Sequence, residues 1–474
     1  RSESRALKRL LEELSKSGLI VRTRNGLFAP SEDLGLINGH FEAHKDGYGF
    51  VIPEKPGEKD LFIPPAMTLS AMDNDRVVAR LEDRGKRQGR IIRILQRAHT
   101  KVSGTLDISR EGCYVKPKSR KIPFDIHIPR EGLNDAKHGE NVVVEITGYP
   151  EKRPPSGRII KVIKTPDEPK AEIEAIIEEF GLPRRFPRDA SEEAKLLMAK
   201  QIDKDKTRKD LTSLPTVTID GERAKDFDDA VSIALDEHGY RLWVHIADVG
   251  YYVPWDSAID LEARRRGTSV YFPDRVIPML PKELSEDLCS LRPGVPRAAL
   301  TVEMVFDRFG NRTTEAFYHS LIISRERMTY TSVRKILVDG DEKDRQRYGH
   351  LLPDFELMGE LCGVLREKRL ERGSLDFDLP EPEVLLDLQG RPEAIIRSER
   401  NLAHMMIEEF MVAANEAVAT RLYRMDIPSL YRIHEEPDTM KIEGIFRYLK
   451  VPAKQPRRTL PYLLKSVKGR PEEE

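Results

Sequence analysis

The chain has 474 residues, 34% of them charged, and a formal net charge of −1. That length implies roughly two to four domains, and no apolar run of about 18 residues is present to cross a bilayer as a helix. Only Cys113, Cys289 and Cys362 occur, with no C-x-x-C pair and no apolar signal segment at the front; this argues against a disulfide framework and structural zinc, and for a cytoplasmic location.

The near-neutral sum hides an asymmetry. Residues 1–165 hold 31 Lys and Arg against 22 Asp and Glu, and the remainder holds 48 against 58. A basic front half suits contact with a polyanion, because neutralised phosphates release counterions. An acidic back half is consistent with metal sites. Simple variation of surface charge between domains would produce the same split.

In chain order, Leu7, Leu10, Leu11 and Leu14 recur at helical spacing, and Gly18 to Phe28 reads as a hairpin turned at Asn25-Gly26. Residues 1–35 therefore resemble a small winged-helix element; a plain packing helix is the other reading.

An internal duplication follows, with an offset of 64 to 68 residues. Gly49-Phe50-Val51-Ile52-Pro53 matches Cys113-Tyr114-Val115-Lys116-Pro117, and Asp60-Leu61-Phe62-Ile63-Pro64 matches Asp125-Ile126-His127-Ile128-Pro129. Asp75-Arg76-Val77-Val78-Ala79 matches Glu140-Asn141-Val142-Val143-Val144, and Gly89 to Leu95 matches Gly157 to Ile163. Four matches in one order indicate two copies of one module. Short alternating strands split by Gly and Pro predict a small five-stranded β-barrel for each, over 36–98 and 99–165. The run His44-Lys45-Asp46-Gly47-Tyr48-Gly49-Phe50, with Asp60 to Ile63, resembles a cold-shock domain of the OB type. That resemblance implies a base-stacking platform of Tyr48, Phe50 and Phe62, with Tyr114 in the second copy, where His127 replaces Phe62. Some of these aromatics are equally expected in the barrel core.

Pro166 to Lys170 reads as a linker into a mixed domain from residue 166 onward. Helices are predicted over Ala171–Phe180, Glu192–Lys200, roughly Leu351–Arg372, and Ala403–Leu422.

Thr216 to Asp220 alternates polar and branched apolar residues, a strand pattern that puts Asp220 on the face of Thr216 and Thr218. Asp220, Asp226, Asp228 and Asp229 then crowd one ten-residue window. Two carboxylates ~4 Å apart at an effective dielectric of about 20 repel by roughly 4 kcal/mol. Four together need a counter-charge, and hard oxygen ligands suit Mg²⁺, with Mn²⁺ as a substitute. A solvated acidic turn, or a calcium loop without chemistry, is the competing reading; the spacing does not fit an EF-hand. Gly221 is expected to let the chain fold back. Ala230–Leu235 and Leu242–Val249 read as a hairpin around Asp236-Glu237-His238-Gly239. Glu303 and Glu381 read as ordinary surface charges, and Glu409 and Asn415 as channel-lining or structural positions.

Several long, ordered motifs complete the pattern: Ile219-Asp220-Gly221 with Ala224 to Val231, His245-Ile246-Ala247-Asp248-Val249, Arg266 to Pro273, Ile277-Pro278-Met279-Leu280-Pro281 with Leu288-Cys289-Ser290-Leu291, and Met406 to Met411 with Ala414-Asn415. With the tandem barrels, the chain resembles the ribonuclease II/ribonuclease R (RNB) family of 3′→5′ exoribonucleases, its ribonuclease R branch most closely. The resemblance implies a multidomain α+β fold and processive hydrolysis of single-stranded RNA to nucleoside 5′-monophosphates. It implies two-metal catalysis with Asp220, Asp226, Asp228 and Asp229 as catalytic and Mg²⁺-binding residues. Tyr271 would stack on the 3′-terminal base, a core tyrosine beside Phe272 being the other reading, and Phe377 would form the other side of that clamp. The family pattern continues with a histidine-bearing glycine motif, a Ser-Pro-x-Arg-Arg-Tyr segment and an S1-type barrel that this sequence lacks, so a fragment ending inside the catalytic domain is expected. A non-catalytic RNA-binding protein, and a phosphoesterase acting on DNA or small nucleotides, are the alternative functions.

Overall fold

The computed structural model describes the chain apart from residues 1, 24–25, 56, 84, 86, 151–153, 164–167, 200–206, 375–380, 388–390, 399, 434–438 and 450–474. The chain divides into two compact units, with the break at Arg184/Arg185.

The first unit opens with α1 (Ser2–Lys16) and the antiparallel pair β1 (Ile20–Arg22) and β2 (Phe28–Pro30). The apolar stripe of α1 is only partly covered: Leu11 and Leu14 are half-buried, whereas Leu7 and Leu10 are exposed. Arg22 pairs with Phe28, so five residues connect the strands. The expected turn residue Asn25 lies outside the described residues.

The repeat then appears as two closed barrels. The first comprises β3 (Leu36–Ala43), β4 (Gly49–Pro53), β5 (Leu61–Ile63), β6 (Arg76–Asp83) and β7 (Gln88–Gln96), ordered β3-β4-β5-β7-β6. The second comprises β8 (Lys101–Ser109), β9 (Gly112–Pro117), β10 (Ile126–His127), β11 (Asn141–Gly148) and β12 (Ser156–Val162), in the same cyclic order. Alternate strand residues fill each interior: Phe41, Val51, Leu61, Ile63, Val77 and Ala79 in the first, and Leu106, Val115, Ile126, Val142 and Val144 in the second.

Equivalent glycines close both barrels. A Cβ on Gly39 would meet the Ile52 carbonyl oxygen and the Val51 side chain, and one on Gly104 would meet the Lys116 carbonyl oxygen and the Val115 side chain. A methyl group there must displace strand backbone, which resists movement. Gly39→Ala is therefore expected to destabilise the first barrel by about 3 kcal/mol, within the range for overpacked cores. Chemical denaturation followed at both units checks this; an unchanged midpoint would contradict it.

Of the stretch read as a linker, Glu168 to Lys170 instead open α2 (Glu168–Glu179), whose Ala171 and Ala175 pack on Val143 and Ile163 of the second barrel, and Pro166 and Asp167 lie outside the described residues. The Ser103 hydroxyl donates to the Glu179 carboxylate, and Lys161 pairs with Glu178.

The second unit contains α3 (Arg188–Met198), β13 (Lys209–Asp210), β14 (Thr216–Asp220), β15 (Asp229–Asp236), β16 (Gly239–Ala247), α4 (Val249–Tyr252), α5 (Ala258–Arg266), β17 (Val270–Tyr271) and β18 (Val276–Ile277). It continues with β19 (Pro296–Phe306), β20 (Arg312–Thr329), α6 (Tyr330–Arg334), α7 (Glu342–Arg347), α8 (Leu352–Glu371), β21 (Glu381–Leu386), β22 (Pro392–Ser398), α9 (Leu402–Arg424) and α10 (Thr439–Tyr448). The main sheet runs β13-β20-β14-β15-β16-β19, and β19 also pairs with β20, so the run from β20 to β19 closes on itself and β13 lies outside that closure. The long β20 pairs with β19 along its first part and lies parallel to β14 along its last.

One sheet face buries Val217, Ile219, Val231, Val244 and Val302 with Phe355 and Met358 of α8 and Met406 and Phe410 of α9. The other gathers Ala230, Trp243, Ala247 and Ile322 with Ala190, Ile259 and Leu284. A buried polar chain crosses the strands: Thr216 to Ser232 (2.7 Å), Ser232 to His245 Nε2 (3.1 Å), His245 Nδ1 to Thr301 (2.8 Å), and Thr301 to Ser320 (2.6 Å). Every member has a partner, as buried polar groups require, and burial lowers the His245 pKa to about 3, keeping the ring neutral. Among the described residues, no helix is long and apolar enough to cross a membrane.

Candidate active site

The acids sit where β14 ends and β15 begins. Covered on both faces, β14 is buried from Thr216 to Ile219, and Asp220 emerges half-buried at its end. The chain turns at once, with the Ala224 amide donating to the Gly221 carbonyl at 3.2 Å. Gly221 does not enable this turn by left-handed geometry: it is not among the positive-φ residues, and a Cβ there would meet nothing within 4 Å.

The fold-back is held from outside the loop instead. Phe227 inserts its ring into the second core, between Asp226 and Asp228 in sequence. Ser290 Oγ accepts from the Phe227 amide at 3.0 Å and donates to the Lys225 carbonyl at 3.0 Å, while the Leu291 amide donates to the Phe227 carbonyl at 2.8 Å. The Ala247 amide donates to the Asp228 carbonyl at 2.9 Å, and Asp229 enters β15 opposite Ile246. Across the turn, Arg327 Nη2 donates to the carbonyls of Gly221 (2.6 Å) and Glu222 (2.9 Å).

These anchors bring the four carboxylates within electrostatic reach. Burial, then the charges of Asp229, Asp226 and Asp228, push the Asp220 pKa up to about 7 against the opposing pull of Arg327. Burial and Asp228 push Asp229 up to about 6, and burial and Asp226 raise Asp228. Asp220 Oδ2 is buried without a hydrogen-bond partner. Buried like charges with an unpartnered oxygen form a site short of positive charge. Among the described residues, no three Asp, Glu, His or Cys side chains are arranged to enclose an ion by themselves.

Beside the acids lies a cavity of about 300 Å³, lined by Asp226, Asp228, Ile246, Tyr271, Met279 and Cys289, among others. The Tyr271 ring is 65% exposed, not a core tyrosine, and its hydroxyl donates to Asp226 Oδ2 at 2.9 Å. Burial pushes the Cys289 thiol up to about 12, leaving it protonated and a poor nucleophile. On the other side, Tyr330 stacks on His404 with ring centres 3.8 Å apart. Burial, with Asp220 and Asp229, pushes its hydroxyl up to about 12.

The RNB domain family matches residues 208–473, more than half of the chain and all four acids. The chain belongs to the RNB family. Its first barrel matches the Ribonuclease B OB domain over residues 39–94, and a cold shock domain match covers 114–187. Ribonuclease R of Aquifex aeolicus is 38% identical over 484 aligned positions, spanning 100% of this chain and 68% of that protein. Ribonuclease R of Escherichia coli is 37% identical, spanning 99% of this chain and 59% of that one. The solved structure of Mycoplasma genitalium RNase R in complex with ribose methylated single-stranded RNA superposes with a TM-score of 0.77 at 25% identity, covering 92% of this chain and 71% of that one.

Other expected residues of this RNB chain are distributed unevenly. Tyr48, Phe50 and Phe62 cluster on the first barrel, with ring centres 5.6 to 6.2 Å apart and His44 stacked on Tyr48 at 4.3 Å. Phe50 is exposed and Tyr48 and Phe62 are half-buried, so none belongs to the buried interior, which takes Phe41 instead. On the second barrel only the Tyr114–His127 pair remains, 5.5 Å apart. Phe377 lies outside the described residues. Glu409 is buried beside Arg369 at 2.7 Å, and Asn415 is exposed.

Glu303 is not an ordinary surface charge. Burial alone would raise its pKa, but hydrogen bonds from Tyr318, Arg241 and Lys209 outweigh it and hold the carboxylate at about 2. The Glu381 side chain falls outside the described ones. Ser290, Arg327 and Tyr330 went unassigned in the sequence because their roles depend on contacts across 60 or more residues, such as the 65 separating Ser290 from Lys225. The only local hint was Ser290's place in the Leu288-Cys289-Ser290-Leu291 motif.

Proposed function

We propose that this chain carries the catalytic acids of a cytoplasmic, processive 3′→5′ exoribonuclease that hydrolyses single-stranded RNA to nucleoside 5′-monophosphates with Mg²⁺, for which Mn²⁺ can substitute. The observation that carries the reading is the half-buried, mutually repelling carboxylate set, with Asp220 Oδ2 unpartnered, beside a cavity edged by the exposed Tyr271 ring. Relatives aligned over nearly all of this chain are ribonuclease R proteins, which supports RNA as the polymer.

The donor set fits a hard divalent cation. All four groups are carboxylates, and the raised pKa values of Asp220, Asp228 and Asp229 express missing positive charge. Mg²⁺ is usually held by one or two carboxylates plus waters and substrate phosphate oxygens, not by an all-protein cage. Carboxylates near one another but not closed around a point suit that habit. Asp220, Asp226, Asp228 and Asp229 would hold the ions, which when bound activate water and stabilise the departing oxygen.

The remaining work falls to the chain's own groups. Tyr271, held at its hydroxyl by Asp226, offers an exposed ring face to the 3′-terminal base, and such stacking contributes ~1–3 kcal/mol without sequence preference. Ile246, Met279 and Leu280 line the cavity with apolar surface that excludes bulk water from the terminal nucleotide. Water adds to the terminal phosphodiester phosphorus, the P–O3′ bond breaks, and a proton passes to the departing 3′ oxygen. The aromatic cluster of the first barrel suits sequence-tolerant stacking on RNA upstream.

The test uses the complete gene product with 5′-labelled single-stranded RNA and Mg²⁺, its products resolved by size and by chromatography. Mononucleotides released from the 3′ end, and none with EDTA, are the expected result. RNA retained on a filter without cleavage would favour the non-catalytic RNA-binding alternative. Equal cleavage of the matching DNA strand would favour the broader phosphoesterase.

A further inference from the structure

We propose that Arg327 is a positioning residue for the acid cluster, its guanidinium pinning the turn after β14 so that Asp220 faces Asp226, Asp228 and Asp229. The inference rests on reading those acids as cation ligands.

The geometry is specific. One nitrogen, Nη2, donates to two successive carbonyls, Gly221 and Glu222, the first residues after the strand. The guanidinium carbon stands 5.6 Å from the centre of the Phe227 ring, which separates Asp226 from Asp228 in the chain. Arg327 Nε is buried without a hydrogen-bond partner. An arginine that gives up solvation on one nitrogen while another holds two loop carbonyls is placed for the loop, not for its own hydration.

The support behind it is rigid. Arg327 sits opposite Thr218 in the parallel register of β14 and β20, and Thr329, two residues on, sits opposite Asp220. Thr329 also caps α6, with Ser332 completing the reciprocal bond. Side-chain hydrogen bonds from Thr331 and Thr329 hold the Glu222 carboxylate, which lowers its pKa. Gly221 and Glu222 are thus gripped by the end of β20 and the start of α6. This grip faces the one made on Lys225 and Phe227 by Ser290.

A positioning role and a bare counter-charge predict opposite signs. Removing a nearby cation with no anchoring duty would tighten binding of a divalent cation by Coulomb's law. Removing an anchor weakens binding, because residues that orient ligands are typically worth 10–100-fold in metal affinity.

The experiment titrates this chain with Mn²⁺ alone, reading free Mn²⁺ by electron paramagnetic resonance, for the unsubstituted protein, Arg327→Ala, Arg327→Lys and Asp228→Asn. Metal-free amide hydrogen exchange of residues 221–225 is followed in parallel. Arg327→Ala is expected to weaken Mn²⁺ binding about tenfold or more, to speed exchange at 221–225, and to leave the metal-free melting temperature nearly unchanged. Arg327→Lys, with a donor for one carbonyl, is expected to recover part of the affinity. Mn²⁺ affinity unchanged or tighter in Arg327→Ala overturns the proposal, as does unchanged exchange at 221–225. If the unsubstituted chain binds Mn²⁺ no better than Asp228→Asn, the cation reading of the acids fails, and the exchange data decide the anchoring on their own. Should Arg327→Ala fail to fold, Arg327→Gln is judged by the same two measurements.

Discussion

Asp228→Asn is expected to lower the hydrolytic rate by at least about 10³-fold while leaving RNA affinity within roughly threefold, the upper part of the range for losing one pre-organised electrostatic contact. The substitution keeps size and shape and removes only the charge. Asp228 lines the cavity with Asp226, and the Ala247 amide fixes its backbone at 2.9 Å. The asparagine therefore occupies the same place without the negative charge a cation needs. On the proposed reading, RNA binding rests chiefly on stacking at Tyr271 and the barrel aromatics, which the change does not touch. Single-turnover cleavage and filter binding on the same preparation separate the two quantities. A normal rate in the variant would remove Asp228 from the chemistry, and with it the reading of the cluster as catalytic.

In divalent-free buffer, the second unit is expected to lose stability as pH rises from about 4 to 7, and Asp220→Asn to abolish much of that loss. The sign follows from linkage. In the folded state Asp220 titrates at about 7 and Asp229 at about 6, both above the ordinary carboxylate value. The folded protein therefore holds protons that the unfolded chain has already released. Stability from these groups is complete below the unfolded pKa and is lost as pH climbs through the folded values. Three units on Asp220 would be about 4 kcal/mol at full weight; with the site partly solvated, about 2 kcal/mol is the expected change. For a unit this large that corresponds to roughly 5 °C in melting temperature. Added Mg²⁺ should flatten the profile, since a bound cation supplies the missing charge. A metal-free melting temperature that is flat or rising over this range would show that the acids are not in mutual contact with low-dielectric surroundings.

Much of the architecture was legible in the sequence because its signals are local. The repeat, read from four matched segments, corresponds to two barrels with one strand order, and even the closing glycines Gly39 and Gly104 are equivalent. The bounds of β14 were visible because Thr216 to Asp220 alternates cleanly, and the β15–β16 hairpin because Asp236 and Gly239 bracket a two-residue turn. Misreadings came where a residue's environment is set by distant chain. Pro169-Lys170 resembles a linker in composition, yet Ala171 and Ala175 find an apolar patch on the second barrel and the segment coils into a helix there. Glu303 looks like any charge on an exposed strand until Lys209, Arg241 and Tyr318 surround it from three other elements.

By itself the sequence determined the inventory: which module is repeated, which residues carry negative charge, and which family pattern orders them. These depend on chemistry along the chain, where identity and spacing suffice. Only the tertiary structure decided how four aspartates that an extended strand would scatter come to face one another. Phe227 is drawn into a core built from other segments, and Ser290 and Arg327 hold the turn from far along the chain. Burial then raises the carboxylates' affinity for protons, and that energetic cost exists only once the surrounding low-dielectric matter is in place.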